Sequence, residues 1–290
     1  MEQVKSAIIT GASSGIGMET AYALAARGYA LALAARREDR LREVAAGCEA
    51  ILQRQGHSAQ QAASKVRVIP TDVGQSDQVQ ALVRRTHEEF GRIDVMVNNA
   101  GYGLFARVDE TSESDMRRIF DVNYFGVFHG CREVAPIMKA QGGGHIFNVS
   151  SVVGRRGTPF HGAYCATKFA IVGLSDSLRV ELRPHRVHVT TVLPALTATE
   201  FFTSSRRARD AGRSFSQFKS LTPASVVGRK IAATVGKGRP EIVFTLGGKL
   251  LVQISVLSPR LTDWMMGSYF RDLQRRLNAK DAPPQGLSSQ

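Results

Sequence analysis

The sequence predicts an α/β protein: a doubly wound parallel sheet of about seven strands in a single domain. Three observations predict it. Short apolar runs alternate with helix-like stretches along most of the 290 residues. Most of those runs lack polar alternation, as strands buried on both faces do. A glycine-rich turn joins the first run to a good helix, the arrangement that opens a mononucleotide-binding unit.

The runs, in order, are SAIIT (6–10), ALALAA (30–35), VRVIP (66–70), IDVMVNN (93–99), GHIFNVS (144–150) and VHVTTVL (187–193), with EIVFT (241–245) as a seventh strand. The connections between them are long enough for helices, so right-handed crossovers follow. QRQGHSAQQAASK (53–65) lengthens the second connection and reads as a surface insertion without chemistry. Residues 111–140 and 161–184 read as two long helices. Residues 195–221 hold Phe201, Phe202, Phe215 and Phe218 among several arginines without a clear period, which suggests a flap. LTPASVV then restarts a helix, with Thr222 as cap and Pro223 in the first turn. No repeat or Pro/Gly-rich linker divides the chain. The expected organisation is a nucleotide-binding and catalytic domain over 1–245, a C-terminal apolar helical extension over 246–281 packed on it, and a disordered tail over 282–290.

Composition narrows the function. Hydrophobic residues make up 43% and charged residues 22% of the chain, ordinary for a globular protein. Cys48, Cys131 and Cys165 are far apart, without C-x-x-C spacing, and fit a reducing compartment rather than a disulfide framework or a zinc site. The His, Asp and Glu residues show no ligand spacing, so no metal is expected. MEQVKSAIIT leads straight into a strand, so no signal peptide is expected and the protein is read as cytoplasmic. The net charge of +13 raises the question of nucleic acid. Its basic residues are scattered, however, and no helix-turn-helix, zinc-finger or RNA-binding pattern accompanies them; the reading is a solvated basic surface or the steering of an anionic ligand, with no nucleic-acid partner.

Two local patterns point to chemistry. TGASSGIG (10–17) places Gly11, Gly15 and Gly17 between strand and helix, where backbone must pass close to a phosphate. The second run ends in LALAARRED, so Arg36 and Arg37 stand where the adenosine ribose of a dinucleotide would lie. A carboxylate there binds a ribose diol, whereas an arginine fork matches a 2′-phosphate. NADP(H) is therefore expected over NAD(H), with Arg36 as the main contact; the alternative is that both arginines merely cap the strand on a solvated surface. Further on, AYCATKFAIVGLSDSL carries Tyr164 and Lys168 four residues apart, hence on one helix face. The pair alone reads either as a proton-transfer device or as an amphipathic coincidence.

These features in sequence are TGASSGIG, Asp72-Val73, NNAG (98–101), Asn123, SSVVG (150–154) and the Y-x-x-x-K of 164–168. In that order they resemble the short-chain dehydrogenase/reductase (SDR) family, over about residues 5 to 200. The resemblance implies a Rossmann-type fold and a catalytic set of Asn123, Ser151, Tyr164 and Lys168. It also implies cofactor contacts from the loop (Gly11, Ser13, Ser14, Gly15, Ile16, Gly17), from Asp72 and Val73 at the adenine, and from Asn98, Asn99, Ala100 and Gly101 along the adenosine side, with Asn99 also bracing the sheet. Tyr164 and Lys168 would touch the cofactor as well. Pro194 and Thr199 match the family's P-G-x-x-x-T, whose threonine meets the nicotinamide carboxamide; Ala195 replaces the glycine of that pattern. Ser150 has the wrong spacing to the tyrosine and is assigned to local backbone groups.

On this reading Tyr164 is the acid/base and Ser151 polarises a carbonyl. Lys168, with the oxidised nicotinamide, lowers the tyrosine pKa and binds ribose, and Asn123 supports a water relay. The substrate is a ketone, aldehyde or secondary alcohol, lipophilic if the four flap phenylalanines form a lid rather than pack the flap down. Two rival functions remain open: an epimerase or dehydratase using bound nucleotide, and a non-catalytic NADPH sensor. By family analogy the chain forms a homodimer or homotetramer through its two long helices. LGGKLLVQISVLSPRLTDWMMGSYF (246–270) is apolar but broken by glycines, Lys249 and Pro259, a poor transmembrane span. Its open uses are a peripheral membrane contact, a subunit contact or a wall of the substrate pocket.

Overall fold

A computed structural model describes residues 4–195, 197, 198 and 222–281. The runs become strands β1 (Ser6–Thr10), β2 (Ala30–Ala35), β3 (Val66–Pro70), β4 (Val95–Asn98), β5 (Gly144–Val149) and β6 (Val187–Leu193). Two-residue strands β7 (Thr197–Ala198) and β8 (Thr222–Pro223) pair with each other, and β9 (Glu241–Val243) joins the edge of the main sheet. The main sheet has seven strands in the order β3-β2-β1-β4-β5-β6-β9, every neighbouring pair parallel. The order reverses between β1 and β4, the switch point at which open α/β sheets bind ligands.

Alternate residues of each strand feed two cores, which is why the runs look uniformly apolar. Ala7, Ile9, Leu31 and Leu33 pack on one face with α1 (Gly15–Ala25), α2 (Glu38–Arg54) and α8 (Ala224–Thr234). Ile8, Ala32 and Met96 pack on the other face with α4 (Ser76–Phe90), α6 (Gly126–Ala140) and α7 (Gly162–Leu182).

Several local expectations are corrected. The 53–65 connection contains a short helix, α3 (Ala59–Ser64), closed by a capping box between Ser58 and Gln61. The single helix expected over 111–140 is split into α5 (Glu113–Phe120) and α6 by a π-helical segment, Asp121–Phe125. The restart after the flap has Pro223 rather than Thr222 at the cap. The C-terminal extension forms two helices, α9 (Leu246–Leu257) and α10 (Pro259–Asp281), the break falling at Ser258 before the proline. The flap segment 199–221, with Thr199 and its four phenylalanines, and the tail 282–290 lie outside the described residues.

Candidate active site

The turn between β1 and α1 has a shape only glycine accepts. Gly11 and Gly15 have φ of 65° and 55°, in the left-handed region. A Cβ at Gly11 would stand 2.8 Å from the Ala100 Cα, and one at Gly17 would strike the Gly11 carbonyl oxygen. Thr10 and Asn99 fix this turn against the end of β4. The Thr10 hydroxyl accepts from the backbone N–H of Asn99 at 3.0 Å and of Ala100 at 3.1 Å, and Asn99 Nδ2 donates to the Thr10 carbonyl at 3.0 Å. Ser14, at the N-cap of α1, makes no side-chain cap, so the first-turn N–H groups are not spent on it. A bare helix N-terminus behind a tight glycine turn fits a dinucleotide pyrophosphate.

At the end of β2 both Arg36 and Arg37 are exposed. Arg37, the N-cap of α2, is the one that meets the loop: its guanidinium donates to the Ser13 and Ser14 hydroxyls, each at 3.2 Å. At the end of β3, Asp72 Oδ1 accepts from the Gly74 N–H at 3.1 Å, while Val73 is buried where a Cβ on Gly126 would touch it at 2.7 Å. Asn98 departs from its expected place. Its side chain lies in the core, donating to Asn148 Oδ1 at 2.9 Å, and Asn148 in turn donates to Ser175 of α7 at 3.0 Å. This buried chain ties β4 and β5 to α7 instead of lining the cleft.

That tie orients the helix carrying Tyr164 and Lys168. Lys168 is 4% exposed; its ammonium donates to the Val149 carbonyl at 2.8 Å and lies 5.6 Å from the centre of the Tyr164 ring. Ser151 caps a 3-10 turn, accepting from the Val153 N–H and donating to the Pro194 carbonyl, each at 3.3 Å, and it shares a hydrogen bond with Tyr164. Ser150 instead donates to the Lys168 carbonyl at 2.8 Å, the local backbone role expected of it. Asn123, fully buried in the π segment, accepts from the Tyr102 N–H at 2.9 Å and donates to the Tyr102 carbonyl at 2.9 Å and to Thr167 at 3.3 Å. Both amide hydrogens are thus engaged.

The electrostatics differ from the simple expectation. Burial pushes the Tyr164 phenol above the ordinary tyrosine value, Cys165 adds to the rise, and the Ser151 hydrogen bond pulls it only partly back. The lowering expected from Lys168 does not offset this. The same burial drives the Lys168 ammonium down to about 7, so near neutrality much of its charge is already lost.

The arrangement brings a hydroxyl, a phenol and an amine together at the carboxyl ends of β5 and β6, beside a dinucleotide cradle. A model of the family described as short chain dehydrogenase matches residues 5–210. The chain belongs to the short-chain dehydrogenase/reductase family. It is therefore a member of an oxidoreductase family. It is 38% identical over 198 residues to an uncharacterized oxidoreductase of Staphylococcus saprophyticus, covering 68% of this chain and 75% of the relative. Among solved structures it resembles an alcohol dehydrogenase from the archaeon Thermococcus sibiricus complexed with 5-hydroxy-NADP, with TM-score 0.70, 30% identity, and 83% and 96% of the two chains covered. It also resembles an SDR from Burkholderia phymatum in complex with NAD, with TM-score 0.76, 27% identity and both chains covered in full.

One part of the site was not foreseen from sequence. Phe160 has φ of 63°, outside the range a bulky residue prefers. It is sandwiched between Phe105, at 5.1 Å, and Phe270 of α10, at 5.4 Å, with Tyr269 packed alongside. Three distant segments thus build an aromatic wall four residues before Tyr164. The only local signal is the turn chemistry of Gly157 and Pro159 just ahead of Phe160. A separate cavity of about 470 Å³ flanks the glycine loop, lined among others by Ser13, Glu19, Tyr22, Arg40 and Ser225; neither Tyr164 nor Lys168 borders it.

Proposed function

We propose that this SDR is an NADP(H)-dependent reductase or dehydrogenase acting on a lipophilic ketone, aldehyde or secondary alcohol. The observation that carries the reading is the hydrogen bond between Ser151 and Tyr164, held above a buried Lys168. The dinucleotide, when bound, supplies or accepts the hydride. Tyr164, whose raised pKa keeps its proton at neutral pH, gives that proton to the carbonyl oxygen, or takes one from an alcohol in reverse. The Ser151 hydroxyl, turned from the Pro194 carbonyl, donates to the same oxygen and stabilises its developing charge. Lys168 offers N–H groups beyond the one used by Val149 to ribose hydroxyls, and where it is protonated, below about pH 7, its charge favours the phenolate. Asn123 is a positioning residue that fixes Tyr102 and Thr167; a water relay there would use the second lone pair of Oδ1 or the main chain.

Preference for NADP(H) rests on Arg36 and Arg37. Neighbours of the same fold hold 5-hydroxy-NADP in one case and NAD in the other, so the fold itself does not select. The Arg37 guanidinium beside the loop hydroxyls, with Arg36 exposed next to it, suits a phosphate and leaves a ribose diol without a carboxylate partner. The aromatic wall of Phe105, Phe160 and Phe270 supports an apolar substrate. Homo-oligomerisation through α6 and α7 is supported by Phe125, at the end of the π segment that leads into α6, and Phe169 on α7, which are 42% and 45% exposed. Three free, buried thiols suit the cytoplasm.

The test is absorbance at the reduced-nicotinamide band with NADPH or NADH and carbonyls running from small and polar to bulky and apolar. NADPH-selective turnover that disappears in Tyr164→Phe is expected. Turnover retained in that variant would remove Tyr164 as the acid, and equal use of NADH would remove the arginine argument.

A further inference from the structure

The turn between α9 and α10 presents apolar side chains to solvent: Val256 is 72% exposed, Leu257 82%, Leu261 47%, Trp264 69% and Met265 39%. The opposite side of the same helix is attached to the body. Thr262 is fully buried, Phe270 stacks on Phe160, and Asp263 pairs with Arg156. At 3.6 residues per turn, Arg260, Leu261, Trp264, Ser268, Arg271 and Arg275 fall on one outward face of α10. All six are exposed, and Asp272 is the one carboxylate at the border of that face. An outward stripe with three arginines and an apolar centre is unusual on a free surface.

We infer that this face rests on an anionic lipid bilayer, with α10 in the plane of the interface and the α9–α10 turn dipping into it. The geometry is that of a surface-lying amphipathic helix: an aromatic and aliphatic strip flanked by basic side chains that reach the headgroups. Among the described residues no helix is long and apolar enough to cross a membrane. A second copy of the chain fits the face less well. A two-fold contact would pair two copies of this face, each with three arginines and one bordering carboxylate, in a chain of net charge +13. The same charge attracts an anionic surface, each basic residue near it adding to the affinity.

The chain reports on its own docking, because Trp264 is its single tryptophan. Full-length protein is mixed with vesicles of phosphatidylcholine alone or with phosphatidylserine, and tryptophan emission and co-flotation are read together. A blue shift with flotation on anionic vesicles, weakened by salt, is expected. The triple variant Arg260→Glu/Arg271→Glu/Arg275→Glu should bind at least tenfold more weakly. If that variant fails to fold by circular dichroism, the salt titration of the unaltered protein decides instead, and salt-insensitive binding overturns the inference. Absence of both signals at low salt, equal binding to neutral vesicles, or a shift that follows self-association without vesicles would each overturn it. The experiment reads binding rather than turnover, so it stands apart from the proposed reaction.

Discussion

The Lys168 ammonium lies 5.6 Å from the centre of the Tyr164 ring and is held there by the Val149 carbonyl at 2.8 Å. The two groups respond to the same burial in opposite ways. The phenol is driven to keep its proton and the amine to lose one. In the free enzyme the limiting charge is therefore on Lys168, which titrates near 7. For carbonyl reduction, kcat/KM should fall as pH rises through about 7, because the neutral amine no longer stabilises the developing phenolate. Lys168→Arg keeps a charge throughout and should be slower but without that descending limb. Measuring both pH profiles checks the point; a wild-type profile flat across neutrality would separate Lys168 from the chemistry.

Cofactor choice should follow from the corner where Arg37 joins Ser13 and Ser14. A charge-assisted hydrogen bond contributes about 1.5–3 kcal/mol, roughly 10- to 150-fold in affinity. Arg36→Ala and Arg37→Ala should each lower the NADPH-to-NADH ratio of kcat/KM at least about tenfold, and the double variant more. The effect should sit in the cofactor KM, leaving kcat at saturation nearly unchanged. A ratio that does not move would return both arginines to the role of solvated strand caps.

What the sequence made legible, and what it hid, follows the range of the interactions. The bounds of β1, β2, β3 and β6 coincide with the apolar runs, since burial on both faces leaves a continuous local signal. The six motifs led to the site in the same way, being short and contiguous. The π break at Asp121–Phe125 was hidden because DVNYFGVF has ordinary helical character and the extra residue is held by Asn123 bonding to Tyr102, 21 residues earlier. Asn98 was misplaced because a strand's side chains alternate, and neither its register nor its Asn148 partner can be read from NNAG. The contact of Arg37 with the loop depends on its place at the helix cap, and the Phe105–Phe160–Phe270 wall joins residues up to 165 positions apart, beyond any local pattern.

His145 offers a test of the scaffold independent of catalysis. It is buried on β5, where Nδ1 accepts from the Gly236 N–H at 3.1 Å; Nε2 then carries the proton and donates to Thr190 at 2.8 Å, which passes a bond on to the Arg239 carbonyl at 2.5 Å. Burial, with a smaller contribution from His188, pulls its pKa down to about 3. The unfolded chain, at about 6.5, takes up a proton that the folded chain refuses, so stability is lost as pH falls below about 6.5 and continues to fall toward the folded value. At about pH 5.5 this one group should cost about 1.4 kcal/mol. Urea unfolding at about pH 8 and about pH 5.5, compared between wild type and His145→Gln, isolates this contribution from the carboxylates common to both. Parallel pH dependences would show that His145 does not carry it.

The exposed rings at the π segment before α6 and on α7 make a prediction about assembly. Phe125 and Phe169 leave 42% and 45% of their surfaces in solvent, although large apolar side chains on the long faces of a doubly wound sheet are normally covered. Arg132 lies 5.6 Å from the Phe128 ring centre and borders the same strip, so the face combines apolar centre and polar rim as subunit interfaces do. Light scattering on the purified chain should give a dimer or tetramer. Phe125→Asp/Phe169→Asp should shift it to monomer, since two carboxylates would be buried without partners on each side of a two-fold contact. Tyr164, the acid/base of the proposed reaction, lies on α7 itself, so loss of the interface should also reduce turnover, and a monomeric wild type would leave the two rings as isolated surface residues.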